Sequence, residues 1–182
     1  VAVLSRLSFV YAMFRLSEID GETSLLPVPL AGNPYIGGDI GTILKYTGKT
    51  NELFTRMLIN AALFASGDCT PVGKRLLDPV AGKGTTLFEG LVYGMDVYGV
   101  EVGGRAVSEA CRYLQKYLQM NKYKHSMKTE RVSGERKSFT AERRHFELAR
   151  GHEEAKRGEY RVFELVAGNS CYAGQLYKKS FF

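Results

Sequence analysis

The residues with the clearest chemical potential lie in one glycine-rich stretch, residues 76–102. Asp78 ends a short apolar run, Gly82 and Gly84 follow it, and Glu101 ends a second apolar run. Glycines can adopt positive φ and let a flat ligand approach the backbone closely, and the N–H groups that open a helix point toward such a ligand. A carboxylate at a strand end can accept hydrogen bonds from ribose hydroxyls. The stretch therefore predicts a site for a nucleotide-like ligand.

The elements that position these residues follow from the same stretch. An apolar run before Asp78 predicts a strand, and the apolar segment 85–93 predicts a helix that Thr85 or Thr86 can cap. Residues 97–102 predict the next strand. Asp78 and Glu101 then stand at the carboxyl ends of two strands, where open α/β sheets hold their ligands.

Two phosphate-binding loops compete with this interpretation. A P-loop needs G-x-x-x-x-G-K-[ST], but Lys83 is followed by Gly84, and the other near match, at 43–50, begins with Ile43. A dinucleotide fingerprint needs a small residue at 87, where the chain has Leu87. A nicotinamide-binding α/β domain and an ordinary glycine turn without a ligand remain as alternatives, because lone glycine patterns are weak signals.

The full run is more specific than its glycines. D-P-x-x-G-x-G-T-T at 78–86, followed by Glu89, Gly94 and G-V-E-V at 99–102, resembles motifs I and II of class I S-adenosylmethionine-dependent methyltransferases. The resemblance is nearest to enzymes that methylate exocyclic amino groups of bases in RNA and DNA, including tRNA guanine-N2 methylases and related RNA methylases. It implies a loop around the methionine part of the cofactor and a ribose contact from Glu101. The implied cofactor contacts are Asp78, Pro79, Ala81, Gly82, Gly84, Thr85, Glu101 and Val102.

The resemblance extends weakly to both sides of this stretch. Tyr46, Thr47 and Thr50 precede an amphipathic helix and resemble the turn of motif X, which touches the methionine end of the cofactor. Asn169 follows a third β-type run and matches the position that hydrogen-bonds the adenine amino group in the family. Lys83 stands where many family members have Ser, and it adds a positive charge near the cofactor.

The family's catalytic tetrapeptide, (Asp/Asn)-Pro-Pro-(Tyr/Phe), would follow a fourth strand that the 182 residues do not contain. We therefore assign no catalytic residue and expect this chain to carry the cofactor-binding half of a methylase. The family sheet has the order 3-2-1-4-5-7-6, so strand one would be left with an open edge, which is an aggregation hazard. We expect residues 1–16, a second copy of the chain, or a further part of the protein to cover it.

Charge is distributed unevenly along the chain. Residues 1–102 carry 8 Lys/Arg against 10 Asp/Glu, whereas residues 103–182 carry 17 against 9, a balance of +8. A basic half indicates a polyanion such as RNA or DNA as partner. A non-catalytic nucleic-acid-binding module is therefore the alternative function, and a solvated charged face explains the same charges.

Composition limits the compartment and the kind of site. Cys69, Cys111 and Cys171 are widely spaced and form no C-x-x-C pair, so neither a disulfide framework nor a zinc site is expected. Reduced thiols fit a cytoplasmic protein. No run of 18 apolar residues is present, so no membrane partner is expected. The three histidines are expected to be surface residues, and we assign no metal site.

The predicted fold class is α/β: an incomplete, Rossmann-like class I methyltransferase fold that contains the first half of the sheet. Residues 1–44 are expected to form an extension, with a strand at 1–16, an Asp20–Gly21 turn and a loop at 25–44. Residues 45–182 hold the cofactor-binding half, with a charged helical insertion or mobile arm at 125–159. Helix 50–64 is expected to bury an apolar face of Leu53, Phe54, Met57, Leu58, Ala61 and Phe64.

Overall fold

The computed structural model describes residues 1–30, 32, 34–67, 69–134 and 138–181, with the backbone alone at 19, 179 and 180. The strands are β1 (Met13–Ile19), β2 (Glu22–Val28), β3 (Arg75–Asp78), β4 (Asp96–Glu101), β5 (Lys124–Ser133), β6 (Thr140–Ala149) and β7 (Arg161–Ala167). The helices are α1 (Ile40–Ile43), α2 (Glu52–Ala65), α3 (Thr85–Val92), α4 (Gly104–Met120), α5 (His152–Arg157), α6 (Ala173–Leu176) and α7 (Lys178–Phe181). Short 3-10 turns occupy Leu4–Arg6 and Ser170–Tyr172.

The main sheet has five strands in the order β3-β4-β7-β6-β5. Strands β3, β4 and β7 are parallel, and β6 and β5 continue the sheet in antiparallel fashion. The α/β class is therefore confirmed, and the mixed sheet is compatible with a Rossmann-like fold. The three parallel strands are neighbours in chain order, β3-β4-β7, as expected for one half of such a sheet.

Alternation along the strands divides the core between the two faces of the sheet. Leu76, Val97 and Phe163 pack with helices α3 and α4 on one face. Leu77 and Val100 pack with Leu176, Tyr177 and Phe181 of the C-terminal helices on the other. Because successive side chains in a strand point to opposite faces, even the edge strand β3 places a leucine in each layer.

Helix α3 lies unusually close to the sheet. A Cβ on Gly90 would come within 2.7 Å of Val97 and 2.8 Å of Leu76, and one on Gly99 would come within 2.8 Å of Leu87. Only glycine fits at such distances. This close contact fixes the distance between α3 and the sheet, and with it the position of the loop that precedes α3.

The N-terminal region forms a two-stranded sheet of β1 and β2. The Asp20–Gly21 turn is confirmed, with φ of 53° and 78°, as a tight hairpin turn requires. The predicted strand at 1–16 is wrong over most of its length, because a 3-10 turn occupies Leu4–Arg6 and β1 begins at Met13. The loop predicted at 25–44 begins too early, since β2 runs to Val28.

The predicted helical insertion at 125–159 is wrong. The segment forms the β5–β6 hairpin, which adds to β7, and among its described residues, 125–134 and 138–159, only His152–Arg157 is helical. Phe146 and Leu148 are completely buried in the core on the face of the sheet that packs with α3 and α4. Glu130 lies opposite Arg143 and forms a 3.0 Å ion pair with it. The alternation has the period of a strand, and the open edge of β7 supplied the hydrogen-bonding partners that made it one.

Helix α2 begins as predicted but turns the other way. Asn51 is its cap, and the Asn51 side chain accepts hydrogen bonds from Leu53 N and Phe54 N. The expected core face is wrong, because its large side chains are 42–53% exposed. The residues buried instead are Thr55, Ile59, Asn60 and Leu63.

Within the described residues, β3 pairs only with β4 and is therefore an edge strand. The expectation that residues 1–16 cover this edge is wrong, because their strand segment pairs with β2. Coverage by a second copy or by a further part of the protein stays a prediction. In the part of the chain that the structure describes, no helix has the length and apolarity needed to cross a membrane.

Candidate functional site

The glycine loop joins β3 to α3 and is held by its own backbone. Gly84 N donates to Ala81 O at 2.8 Å, and Ala81 N donates to Val100 O at 3.0 Å. Gly82 and Gly84 have φ of 54° and 87°. A Cβ on Gly82 would meet no atom within 4 Å, so this side of the loop is open to a ligand.

The cap of α3 differs from the prediction. Gly84 occupies the N-cap position without a side-chain cap, so the assignment of Thr85 or Thr86 as cap is wrong. Thr85 is buried, and its hydroxyl shares a 3.0 Å hydrogen bond with the hydroxyl of Tyr46. The first turn of α3 therefore presents backbone N–H groups without a capping side chain over them.

Glu101 ties the end of β4 to the loop. Its Oε2 accepts a hydrogen bond from Gly82 N at 2.9 Å, and its Oε1 accepts one from Gly103 N at 2.7 Å. Each carboxylate oxygen has two lone pairs, so both keep acceptor capacity for a ligand hydroxyl. The side chain predicted to hold ribose thus lies directly against the loop predicted to hold the rest of the cofactor.

Asp78 closes the first turn of the loop. Its Oδ1 accepts a hydrogen bond from Val80 N at 3.0 Å, which is the local bond that favours Asp in turns. Pro79 is exposed and Ala81 is buried. Asp78 is therefore a support of the loop backbone, with its second oxygen still able to accept a hydrogen bond.

Three predicted site residues stand at or just beyond the carboxyl ends of the parallel strands. Asp78 lies beside Gly99 in the β3–β4 register, and Glu101 lies beside Ala167 in the β4–β7 register. Ala167 precedes Asn169 by two residues. Asn169 is exposed, and its Oδ1 accepts a hydrogen bond from Cys171 N at 2.9 Å. Asp78, Glu101 and Asn169 therefore follow one another along the sheet edge, so that a ligand lying across β3, β4 and β7 could contact all three.

The remaining candidates are distributed unevenly. Tyr46 reaches the loop through Thr85, and the Lys83 ammonium lies 4.7 Å above the Tyr46 ring. Thr47 and Thr50 are exposed, and within the described ranges neither hydrogen-bonds to the loop. Val102 is 79% exposed. Tyr46 is thus the one member of the motif X-like turn that the structure joins to the loop.

Two glutamates near the loop, Glu109 and Glu89, form ion pairs that were not predicted from the sequence. Glu109 of α4 pairs with Lys83 at 2.6 Å and with Arg105 at 2.8 Å, and these two cations lower its pKa to about 2. Glu89 is fully buried beneath α2, and burial raises its pKa while the Arg56 guanidinium at 2.7 Å opposes the rise. The i,i+4 spacing of Arg105 and Glu109 was the available signal for the first pair.

Two cavities within the described residues lie away from the loop. A cavity of about 940 Å³ lies between the N-terminal segment and α2, with Phe9, Val72 and Tyr93 in its lining. A second, of about 610 Å³, lies between the β5–β6 hairpin and α6. Neither cavity is lined by a residue of the loop. No cluster of three metal-ligating side chains occurs within the described residues.

No protein-family model matches the chain, and a search of curated proteins finds no match. The functional assignment therefore rests on the geometry of the loop and the strand ends, and on the resemblance carried by residues 45–102.

Proposed function

We propose that this chain binds S-adenosylmethionine as the cofactor-binding half of a methyltransferase that acts on an exocyclic amino group of a base in RNA or DNA. The observation that carries the proposal is the bond from Gly82 N to the Glu101 carboxylate, beside a Gly82 whose outer side is empty. This bond holds a carboxylate and an accessible stretch of backbone next to each other at the carboxyl edge of a parallel sheet, where such sheets hold ligands, and this supports the proposal.

Each part of the ligand has a matching group. Glu101 can accept from the ribose hydroxyls, and Asn169 can accept from the adenine amino group through its carbonyl oxygen. The backbone of the glycine loop would face the methionine part. Bound there, S-adenosylmethionine would supply a methyl group on a sulfonium whose leaving group is a neutral thioether. The role of this chain is to align the cofactor for transfer of that methyl group.

A steric substitution in the loop tests the proposal. In Gly82→Ala the new methyl group projects into the open side where the ligand would lie, so we expect calorimetric affinity for S-adenosylmethionine to fall about ten-fold or more, which corresponds to at least about 1.4 kcal/mol. The matched control is Gly158→Ala. Gly158 also has a positive φ, 71°, and open space around its Cβ position, but it ends α5.

Both substitutions place a Cβ at a positive φ and should cost similar stability. Only the loop variant should lose binding. Absence of heat with the unaltered protein, or equal affinity in the two variants, would refute the proposal. Binding of NAD without binding of S-adenosylmethionine would favour the nicotinamide-binding alternative.

Nucleic-acid binding without catalysis is a second candidate, supported by the outer strand β5. Lys124, Lys128 and Arg131 are exposed on it, and among the described residues none of the three forms an ion pair. Most basic residues of β6 and α5 are paired with acids, for example Arg144 with Glu142 at 2.7 Å. If the chain is such a module, RNA affinity should fall steeply with salt, and Lys128→Gln should reduce the slope by about one phosphate contact.

The exposed apolar face of α2 and the open edge of β3 fit coverage by further polypeptide. A second copy of the chain or a further part of the parent protein would supply it. Light scattering of the purified chain separates the two, because only the first produces a dimer.

A further inference from the structure

Lys83 is the one charged residue of the glycine loop, between Gly82 and Gly84. Its ammonium contacts two residues that lie outside the loop. It lies 2.6 Å from the Glu109 carboxylate of α4 and 4.7 Å from the centre of the Tyr46 ring. Both anchors lie outside the loop, on α4 and on the segment before α2.

We propose that Glu109 sets the charge preference of the loop, by holding and neutralising the Lys83 ammonium so that a cationic sulfonium is accepted beside it. The inference rests on the proposed function and extends it. It identifies Glu109 as the residue that sets the ratio of the affinities for S-adenosylmethionine and for its uncharged thioether product, S-adenosylhomocysteine.

Coulomb's law supplies the reason. The two ligands share the adenosine and amino-acid parts and differ at sulfur by one methyl group and one positive charge. For an assumed separation of about 10 Å between an uncompensated ammonium and that sulfur, and an effective dielectric of about 20–40, repulsion would weaken binding of the cation by about four- to fifteen-fold and leave the neutral thioether unaffected. A carboxylate in contact with the ammonium cancels most of this field, and the Arg105 guanidinium on the same carboxylate is 93% exposed, so that water screens its charge.

Glu109 is suited to this task because it stays ionised. The hydrogen bonds from Lys83 and Arg105 lower its pKa to about 2, so this carboxylate is charged at neutral pH. The ring of Tyr46 adds an attraction for the ammonium on the same side. The hydroxyl of Tyr46 is held by Thr85 at 3.0 Å, so the whole arrangement is fixed to the start of α3.

Calorimetry with both ligands on four proteins tests this: the unaltered chain, Glu109→Gln, Lys83→Met and the double variant. In Glu109→Gln we expect affinity for S-adenosylmethionine to fall about four- to fifteen-fold, with less than about a two-fold change for S-adenosylhomocysteine. Lys83→Met in that background should restore the original ratio of the two affinities. Raising the salt concentration should shrink the effect, since the pair is only partly buried.

Glu153→Gln is the matched control, because Glu153 forms an exposed pair with Lys156 on α5, and it should leave both affinities unchanged. An equal loss for both ligands in Glu109→Gln would indicate a structural role and overturn the inference alone. So would a ratio that Lys83→Met does not restore. Failure of the unaltered protein to bind either ligand would overturn the proposed function, and this inference with it.

Discussion

Replacing Gly90 by alanine sets two known effects against each other at the point where α3 meets the sheet. In a helix interior, alanine is favoured over glycine by about 1 kcal/mol. At this position, however, a Cβ would lie 2.7 Å from Cγ1 of Val97 and 2.8 Å from Cδ2 of Leu76. Carbon atoms pack at about 3.5–4.0 Å, so both neighbours would have to retreat by roughly 1 Å.

The packing effect should be the larger one. Val97 is fully buried, and a β-branched side chain has little freedom at χ1. Overpacking of this kind costs about 1–3 kcal/mol. Because two side chains must move, the cost should lie in the upper part of this range, about 2–3 kcal/mol. Subtracting about 1 kcal/mol for helix propensity leaves an expected loss of about 1–2 kcal/mol in the free energy of unfolding of Gly90→Ala. For a chain of this size, that corresponds to a fall in Tm of about 2–8 °C.

Thermal and urea unfolding followed by circular dichroism measure the change. Gly104→Ala is the control, because Gly104 opens α4 and a Cβ there would meet no atom within 4 Å. It should be neutral or stabilising. Val97→Ala should cost less in the Gly90→Ala background than alone, since it removes the clashing methyl group. A Gly90→Ala protein more stable than the unaltered chain would show that α3 does not lie this close to the sheet.

Two further predictions concern α2 and the second face of the sheet. Leu58→Gln should change the free energy of unfolding by less than about 0.5 kcal/mol, because Leu58 is 50% exposed. Ile59→Ala should cost about 2–5 kcal/mol, because the Ile59 side chain is only 2% exposed. A larger loss for Leu58→Gln than for Ile59→Ala in urea titrations would support the orientation of α2 expected from the sequence. The hydrogen bond from His145 to Glu164 raises the pKa of His145 above its ordinary 6.5, so this contribution to stability is complete below pH 6.5 and is lost as pH rises through the folded-state pKa. Glu164→Gln should remove that loss, and urea midpoints that fall with pH as steeply in the variant would contradict the assignment.

The orientation of α2 shows a limit of pattern reading. The helix and its Asn51 cap were predictable because capping is local. The buried face was not, because Arg56 pairs with the buried Glu89, and Asn60 donates a hydrogen bond to the backbone oxygen of Arg6. These polar bonds direct the side of α2 that carries Ile59 toward α3 and leave its apolar stripe outside. The spacing of apolar residues describes one helix alone, whereas its orientation depends on what the neighbouring helix offers.

The insertion at 125–159 shows the same limit for secondary structure. Its high charge led to the prediction of a helix or a mobile arm that buries little. In the structure, inward and outward side chains alternate along β6, which places Phe146 and Leu148 in the core beside α3 and α4. A charged strand is stable here because β7 is beside it, and because cross-strand pairs such as Glu130 with Arg143 replace apolar contacts.

The amino-acid sequence alone determined the β3–α3–β4 unit, its glycine loop and the acceptors at its strand ends, because turn chemistry and short hydrophobic periods act between neighbours in the chain. Tertiary structure decided the buried side of α2, the addition of the β5–β6 hairpin to the sheet, and the capture of Lys83 by Glu109. Each of these depends on a partner far away in sequence, and the free energy that selects it exists only once both partners have been brought together by the fold.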